Sequence, residues 1–382
     1  MRWAILILWL SALAAHAAPN DAALQKLSRQ AEEARLSDRL PEAVQLYREG
    51  VERYPAWSDG WWWLGSIYYD QDLYADARAA FEHAVAGDKK MASAYGFLGL
   101  CAYEMREYPA ARAYLNKWQA AGAPGEASLV DVARFRGAEL LTEDGRFFEA
   151  LYQLNSKVYV LGPDPSLIEA MGLAWMQMKN VPENYPPEKR EMVWLAGSAA
   201  AWFSASKLDR SREFLDRLAL HYGDRPNVHL LRGFVAEAMK DNDAAIKEYG
   251  EEGNVAPRAV VPMIQLTQAY AEAGRNDEAL ALARKAVALE PEYARSHFAL
   301  GRVLLAKQQW AAAASELEKA EELSPSASTV RFQLARAYRK LGRKEDAERE
   351  QTAFESLHKT EEDHPALEDP ANLIQSREGR AR

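Results

Sequence analysis

The sequence predicts an all-α solenoid, an array of helix pairs stacked on one another, and two observations carry the prediction. Between Val260 and Glu361 the chain falls into three lines of 34 residues, opening at Val260, Ala294 and Ser328. Leu266, Leu300 and Leu334 share one column of these lines, Thr267, Gly301 and Ala335 a second, and Ala279, Ala313 and Ala347 a third, while Pro291 and Pro325 close the first two lines. A period of this length marks a unit that cannot bury its apolar face alone and buries it on its neighbours. Within the lines apolar residues recur at helical spacing, and with 48% hydrophobic residues the chain has material for a continuous core.

The N-terminus stands apart from the array. Arg2, the apolar run Trp3–Ala15 and the small residues of Ala15-His16-Ala17 form the three parts of a secretory signal. The run is shorter than the roughly 20 residues that span a bilayer, so cleavage after Ala17 is expected, with no stable membrane span left. No cysteine follows the run to carry a lipid.

The first unit is expected over 24–57. Its second helix has Ala43, Tyr47 and Gly50 on one face, Pro41 in the first turn and Pro55 at the stop. Over 58–91, Trp61, Leu64, Gly65 and Tyr68 follow the i, i+3, i+4, i+7 stripe of one helix, and Ala77, Phe81 and Ala84 that of the next. Gly65 is small where two helices must cross closely. The third unit, 92–125, repeats the pattern with Tyr95, Leu98, Gly99, Ala111 and Leu115. It departs at Trp118, a bulky residue suited to the irregular junction Ala123-Pro124-Gly125. A fourth unit over 131–164 carries Ala138, Leu141, Gly145, Ala150 and Leu154.

The pattern then breaks. Residues 165–179 read as a first helix with Ile168, Met171, Gly172 and Trp175 in place, but Asn180–Pro187 holds three prolines and cannot be its helical partner. An extended connector is expected there, and the apolar groove left by the missing helix is expected to be filled by that connector, relieved by a bend of the array, or used for binding. From Met192 the register returns for five units without an insertion, with Ala199, Gly233, Thr267, Gly301 and Ala335 as the small column. Lys344–Lys359 is expected to cap the array, with Glu345, Glu348, Glu350 and Lys359 facing outward. The expected domains are thus a signal at 1–17, four units at 24–164, a broken repeat at 165–191, five units at 192–361 and a disordered tail at 362–382.

These columns resemble the tetratricopeptide repeat (TPR), over roughly Leu24 to Glu361, in an exported bacterial setting. The resemblance implies a right-handed superhelix whose concave wall is made of first helices. It also implies binding of other proteins, often as extended peptides or helices. The Lys and Asn pattern with which some members clamp a C-terminal carboxylate is absent; Ser28, Trp62, Trp63 and Ser66 occupy those positions.

Catalytic signatures are missing. The sequence holds no His-Glu-x-x-His, no phosphate-binding loop and no Gly-x-Ser-x-Gly elbow. Its seven histidines are scattered, and Cys101, the single cysteine, can form neither an intrachain disulfide nor a multi-cysteine metal site. A net charge of −9 argues against a general nucleic-acid binder. No catalytic residue, metal or cofactor is therefore expected.

Two sets of side chains fall on the implied wall. The N-terminal set is aromatic: Trp62, Trp63, Tyr69, Phe97, Tyr103 and Phe135, with Asp59, Asp70 and Glu104 among them. Trp61, Trp62 and Trp63 are about 100° apart around a helix, so at least one is expected to be exposed, and Trp62 is the choice. The C-terminal set is basic: Arg295, Arg302, Arg336, Arg339 and Lys340. Such a strip suits an acidic peptide or anionic glycan, or else is neutralised by nearby glutamates. The function expected is an exported, non-catalytic scaffold taking a protein or peptide in its groove. A glycan-binding protein of envelope or polysaccharide export is the alternative, and an enzyme without a recognisable motif a further one.

Overall fold

The computed structural model describes residues 22–88, 91–161, 164–182 and 184–363. The expected signal segment and all but the first two residues of the expected tail lie outside these. Among the described residues there are nineteen α-helices, packed mainly in sequential pairs, in two compact units of residues 1–144 and 145–382. The first unit holds α1 (Ala22–Leu36), α2 (Leu40–Arg53), α3 (Ser58–Asp70), α4 (Tyr74–Gly87), α5 (Ala94–Glu104), α6 (Tyr108–Ala120) and α7 (Ala127–Glu143). The second begins with α8 (Phe147–Leu161), α9 (Pro165–Trp175), α10 (Arg190–Ser204), α11 (Leu208–Tyr222), α12 (Val228–Ala238) and α13 (Asn242–Val255). It continues with α14 (Val260–Glu272), α15 (Asn276–Leu289), α16 (Ala294–Ala306), α17 (Trp310–Leu323), α18 (Ser328–Lys340) and α19 (Lys344–Asp363).

Each pair is closed by a tight turn, and a left-handed residue sits in it at Asp38, Asp72 and Arg106, then at Ser206, Lys240, Gly274, Gln308 and Gly342. Successive members of each run are one repeat apart. Pairs then lock through size. A Cβ added to Gly65 would come within 3.0 Å of Phe81, at Gly99 within 2.6 Å of Leu115, at Gly233 within 2.2 Å of Tyr249, and at Gly301 within 2.6 Å of Leu317. In every case the large residue lies sixteen positions on, in the second helix. Where the small column holds Thr267, the position sixteen on holds Ala283, so bulk is exchanged rather than added.

Trp118 departs from the small-residue rule for a local reason. It is fully buried, its indole N–H donates to Pro124 O at 2.8 Å, and it fills the space beside Gly96. It thereby pins the junction where Ala123 and Gly125 take positive φ. Glu350 corrects the reading of the last helix. It is 2% exposed rather than outward, because Arg331 reaches it at 2.8 Å and Arg349 at 3.0 Å.

The break at 165–191 also differs from expectation. The connector is extended, with a short 3₁₀ turn at Pro187–Lys189, and Tyr185 O–H donates to Glu169 Oε1 at 2.5 Å. Over α9, α10 packs directly. A Cβ on Gly172 would lie 2.0 Å from Val193 O, and one on Gly197 1.8 Å from Ile168 O. Backbone meets backbone there, so α10 serves as partner to α9 and also pairs with α11.

Polar ties link pairs in series. Trp61 Nε1 donates to Pro55 O at 2.9 Å, His297 Nε2 contacts Pro291 O at 2.8 Å, and Arg331 Nη2 donates to Pro325 O at 3.3 Å. Three different side chains at one repeat position thus satisfy a carbonyl of the preceding turn. Glu252, fully buried on α13, accepts from Asn227 N at 2.7 Å and Leu230 N at 3.0 Å and so caps α12 from outside that helix. Beside it His229 Nδ1 lies 2.7 Å from Glu248 Oε2, and Arg232 Nε 3.0 Å from Glu248 Oε1.

Two outcomes follow from this packing. Gly197→Ala should destabilise the second unit by about 2 kcal/mol or more through overpacking, whereas Gly250→Ala, on a helical glycine with nothing within 4 Å, should raise stability by roughly 0.5–1 kcal/mol. Denaturant unfolding of both variants checks the opposite signs. The second concerns pH. The hydrogen bond that His229 donates to the Glu248 carboxylate, opposed by burial, raises the His229 pKa above its ordinary value. The stabilisation it gives is therefore complete below about pH 6.5 and lost as pH rises through the folded value. Melting temperature should fall over that window, and His229→Gln should flatten this part of the profile.

Candidate functional site

In the first unit the aromatic residues form interior packing. Trp62 is 8% exposed and meets Phe81 and Phe97 edge to face at 5.4 and 5.5 Å. Phe97 and Tyr103 are buried, and the Arg136 guanidinium covers the Tyr103 ring at 4.4 Å. The structure thus corrects the expected exposure of Trp62, and of Phe97 and Tyr103 with it. A first helix here packs on its own partner and on the following pair, so its buried arc is wider than one stripe. Trp63 and Tyr69 are half-buried; the Arg35 guanidinium lies 3.7 Å from the Trp63 ring, and Tyr69 packs on Phe97 at 5.3 Å. Phe135 is half-buried too. Cys101 is enclosed in the same core, and burial pushes its thiol pKa up to about 12, which leaves it unreactive.

The second unit places the basic residues differently. Consecutive first helices α14, α16 and α18 enclose a groove of about 290 Å³. Its apolar lining comes from Ile264, Phe298, Ala299 and Val330, and its polar lining includes Gln268, Glu272 and Gln333. Arg295, Arg302 and Arg336 all line it, so three of the residues expected on the wall come together. Lys340 does not; it is exposed, with its ammonium 5.8 Å from the Trp310 ring. Arg339 bonds Gln351 at 2.6 Å.

Many cations outside the groove are paired with acids. Outside it, Arg275 pairs with Glu278 at 3.0 Å, Arg331 with Glu350 at 2.8 Å, Arg343 with Asp346 at 2.6 Å and Arg349 with Asp346 at 2.7 Å. Inside it, Arg295, Arg302 and Arg336 form no ion pair among the described residues; Arg302 Nη1 donates to Gln268 Oε1 at 3.3 Å and Arg336 Nη1 to Gln333 Oε1 at 2.8 Å. Glu278, Glu318, Glu321 and Glu350 are paired with other arginines, and Glu272, the carboxylate in the lining, accepts from Gln268 Nε2 at 3.0 Å. Burial holds Arg302 below the usual guanidinium range, with Glu272 opposing and like-charged Arg336 adding to the effect. An arginine in that state stays cationic and gains from a carboxylate brought to it.

Sequence reading missed Gln268, Gln333 and the floor residue Phe298. Gln268 was discoverable, since Gln268, Arg302 and Arg336 occupy one column of the repeat. Among the described residues no group of three His, Cys, Asp or Glu is placed to hold a metal ion, and no helix is long and apolar enough to cross a membrane.

Comparison with known proteins bears on the family. The tetratricopeptide repeat model matches residues 28–91, 68–127, 265–328 and 303–353. A curated relative, the small glutamine-rich tetratricopeptide repeat-containing protein 2 of Mycosarcoma maydis, is 27% identical over 109 residues, 28% of this chain and 31% of that protein. The match thus spans about a third of the relative's length. Among solved structures, MamA from Desulfovibrio magneticus RS-1 is 16% identical at a TM-score of 0.39, over 42% of this chain and 92% of that one. A chain of the APC/C hetero-tetramer Cut9-Hcn1 is 11% identical at a TM-score of 0.43, over 88% and 87%.

The contrast between the two sets of residues is measurable by unfolding. Trp62→Ala should cost about 3 kcal/mol as a core truncation, while Trp62→Phe keeps most of the packing and drops an indole N–H that has no partner among the described residues. Arg336→Gln should shift stability by no more than roughly 0.5 kcal/mol.

Proposed function

We propose that this chain, a tetratricopeptide repeat protein over residues 28–127 and 265–353, works as an exported, non-catalytic scaffold that holds another protein in the groove of α14, α16 and α18. The observation that carries the reading is the set of three arginines without carboxylate partners beside an apolar floor. Arg295 and Arg302 are half-buried and Arg336 is exposed beside that apolar floor, and arginine is among the residues that interface anchors are made of. Repeats of this family bind proteins, which agrees with that use of the surface. Export rests on the three-part segment Arg2–Ala17. The glycan alternative loses support, since Trp62, Phe97 and Tyr103 are too buried to stack on sugar rings.

The test uses the mature chain as bait in envelope extract. Wild type and Trp63→Ala should retain the same protein, and the Arg295→Ala, Arg302→Ala, Arg336→Ala triple variant should lose it. Retention of every partner by a folded triple variant would place binding elsewhere. N-terminal sequencing of the mature protein should begin at Ala18; an intact Met1 would remove the export part of the reading.

A further inference from the structure

A seat for a cation recurs in the second unit. On α18 the Arg331 guanidinium donates to the Glu350 carboxylate at 2.8 Å and to Pro325 O at 3.3 Å. Both partners only accept, and a guanidinium has donors for both. One repeat earlier the same three positions hold His297, Glu316 and Pro291. His297 Nδ1 lies 2.7 Å from Glu316 Oε2, and its Nε2 lies 2.8 Å from Pro291 O. A neutral imidazole has one N–H and one lone pair, so it can serve only one of two acceptors. A carboxylate is a weaker base than an imidazole, so the proton that completes the seat belongs on the ring. His297 thus fills the seat as an imidazolium, in the manner of Arg331. His229, in the same column on α12, makes a single contact of 2.7 Å through Nδ1 to Glu248, which one ring proton is enough to make.

His297 is buried, and its charged neighbours come from every side. On α17 Glu316 faces it, while Lys319 a turn further on pairs with Glu322 at 3.2 Å. Glu290 and Glu292 flank Pro291 in the preceding turn, and Arg284 and Lys285 lie on α15, all four exposed. Glu272 of α14 and Arg336 of α18 line the groove, as do Arg295 and Arg302 on its own helix. The seat is therefore set directly behind the groove: His297 stands between Arg295 and Phe298, and it fixes the first turns of α16 that carry them.

From this we infer that His297 is a proton-operated latch on the groove. With both ring nitrogens protonated it ties the start of α16 to the preceding turn and to α17. With one proton lost, one tie opens, the first turns of α16 loosen, and the grip on a bound protein weakens. Binding should be strongest in acid and fall as pH rises over roughly pH 5 to 8, where imidazole is the side chain whose charge ordinarily changes. The latch stands by itself; its effect on binding rests on the groove being the docking face.

The test is hydrogen–deuterium exchange of the full chain at about pH 5.5 and about pH 8. Wild type, His297→Arg and His297→Gln are compared at each pH, so that the intrinsic exchange rate cancels. At the higher pH, residues 290–302 should exchange about tenfold faster in wild type than in His297→Arg, the equivalent of one lost charge-assisted hydrogen bond. At the lower pH the two should match, and His297→Gln should exchange at the fast rate at both. The bait experiment, repeated at both pH values, should show wild type retaining less partner at the higher one and His297→Arg retaining the same amount at each. Circular dichroism establishes that the variants are folded.

Equal exchange of wild type and His297→Arg at the higher pH would overturn the latch. If His297→Arg does not fold, nitrogen NMR of the histidine rings, assigned with His297→Gln, decides in its place: a His297 ring with a single proton at about pH 5.5 overturns the latch. A latch seen by exchange, with partner retention no more pH-dependent in wild type than in His297→Arg, would overturn its control of the groove. If the triple arginine variant keeps every partner, the docking reading fails and the control of binding with it, while the exchange result still decides the latch.

Discussion

The close crossing of two helices at a small residue is the constraint on which the rest of the structure depends. At Gly65, Gly99, Gly233 and Gly301 there is no room for a Cβ against the residue sixteen positions on. That contact sets the distance within each pair, and so the angle at which the next pair can be added. Its extreme form is the α9–α10 contact, where Gly172 and Gly197 face carbonyl oxygens of the opposite helix. There the array survives the loss of a second helix, because two glycines let the following first helix close on α9.

Much of this was legible. The 34-residue columns gave helix pairs, and Gly65, Gly99, Gly233 and Gly301 lay where the crossings are. The turns were not legible by residue type, since most of their left-handed positions hold Asp, Arg, Ser, Lys or Gln rather than Gly. Periodicity marks one apolar stripe per helix, but a first helix packed between its partner and the next pair buries a second arc. Trp62 lies on that second arc, so its exposure was misjudged. Glu350 was misjudged for a related reason: a charged residue reads as solvent-facing until its partner, Arg331 on the preceding helix, is placed. The partner of α9 could not be read either, because α10 was already assigned to its own unit.

Electrostatics then separates structure from function. Across α15–α19 several cations outside the groove, among them Lys307, Arg331, Arg343 and Arg349, are paired with acids a turn away or on a neighbouring helix, pairs worth little individually at a surface; Arg339 is bonded to Gln351 instead. The column of Gln268, Arg302 and Arg336 puts a neutral amide where a carboxylate would have closed the site. A half-buried guanidinium bonded only to an amide retains most of its capacity for an anion, and the apolar floor beside it raises the strength of any pair formed there. In the first unit Arg136 is already bound by Glu104 at 3.0 Å and Glu139 at 2.9 Å.

Hydrogen–deuterium exchange of the protein, alone and with its captured partner, tests the central claim most directly. The account predicts new protection on the first helices 260–272, 294–306 and 328–340, with α3 and α5 unchanged. Protection confined to α3 and α5, with those three helices exchanging as in the free protein, would contradict it.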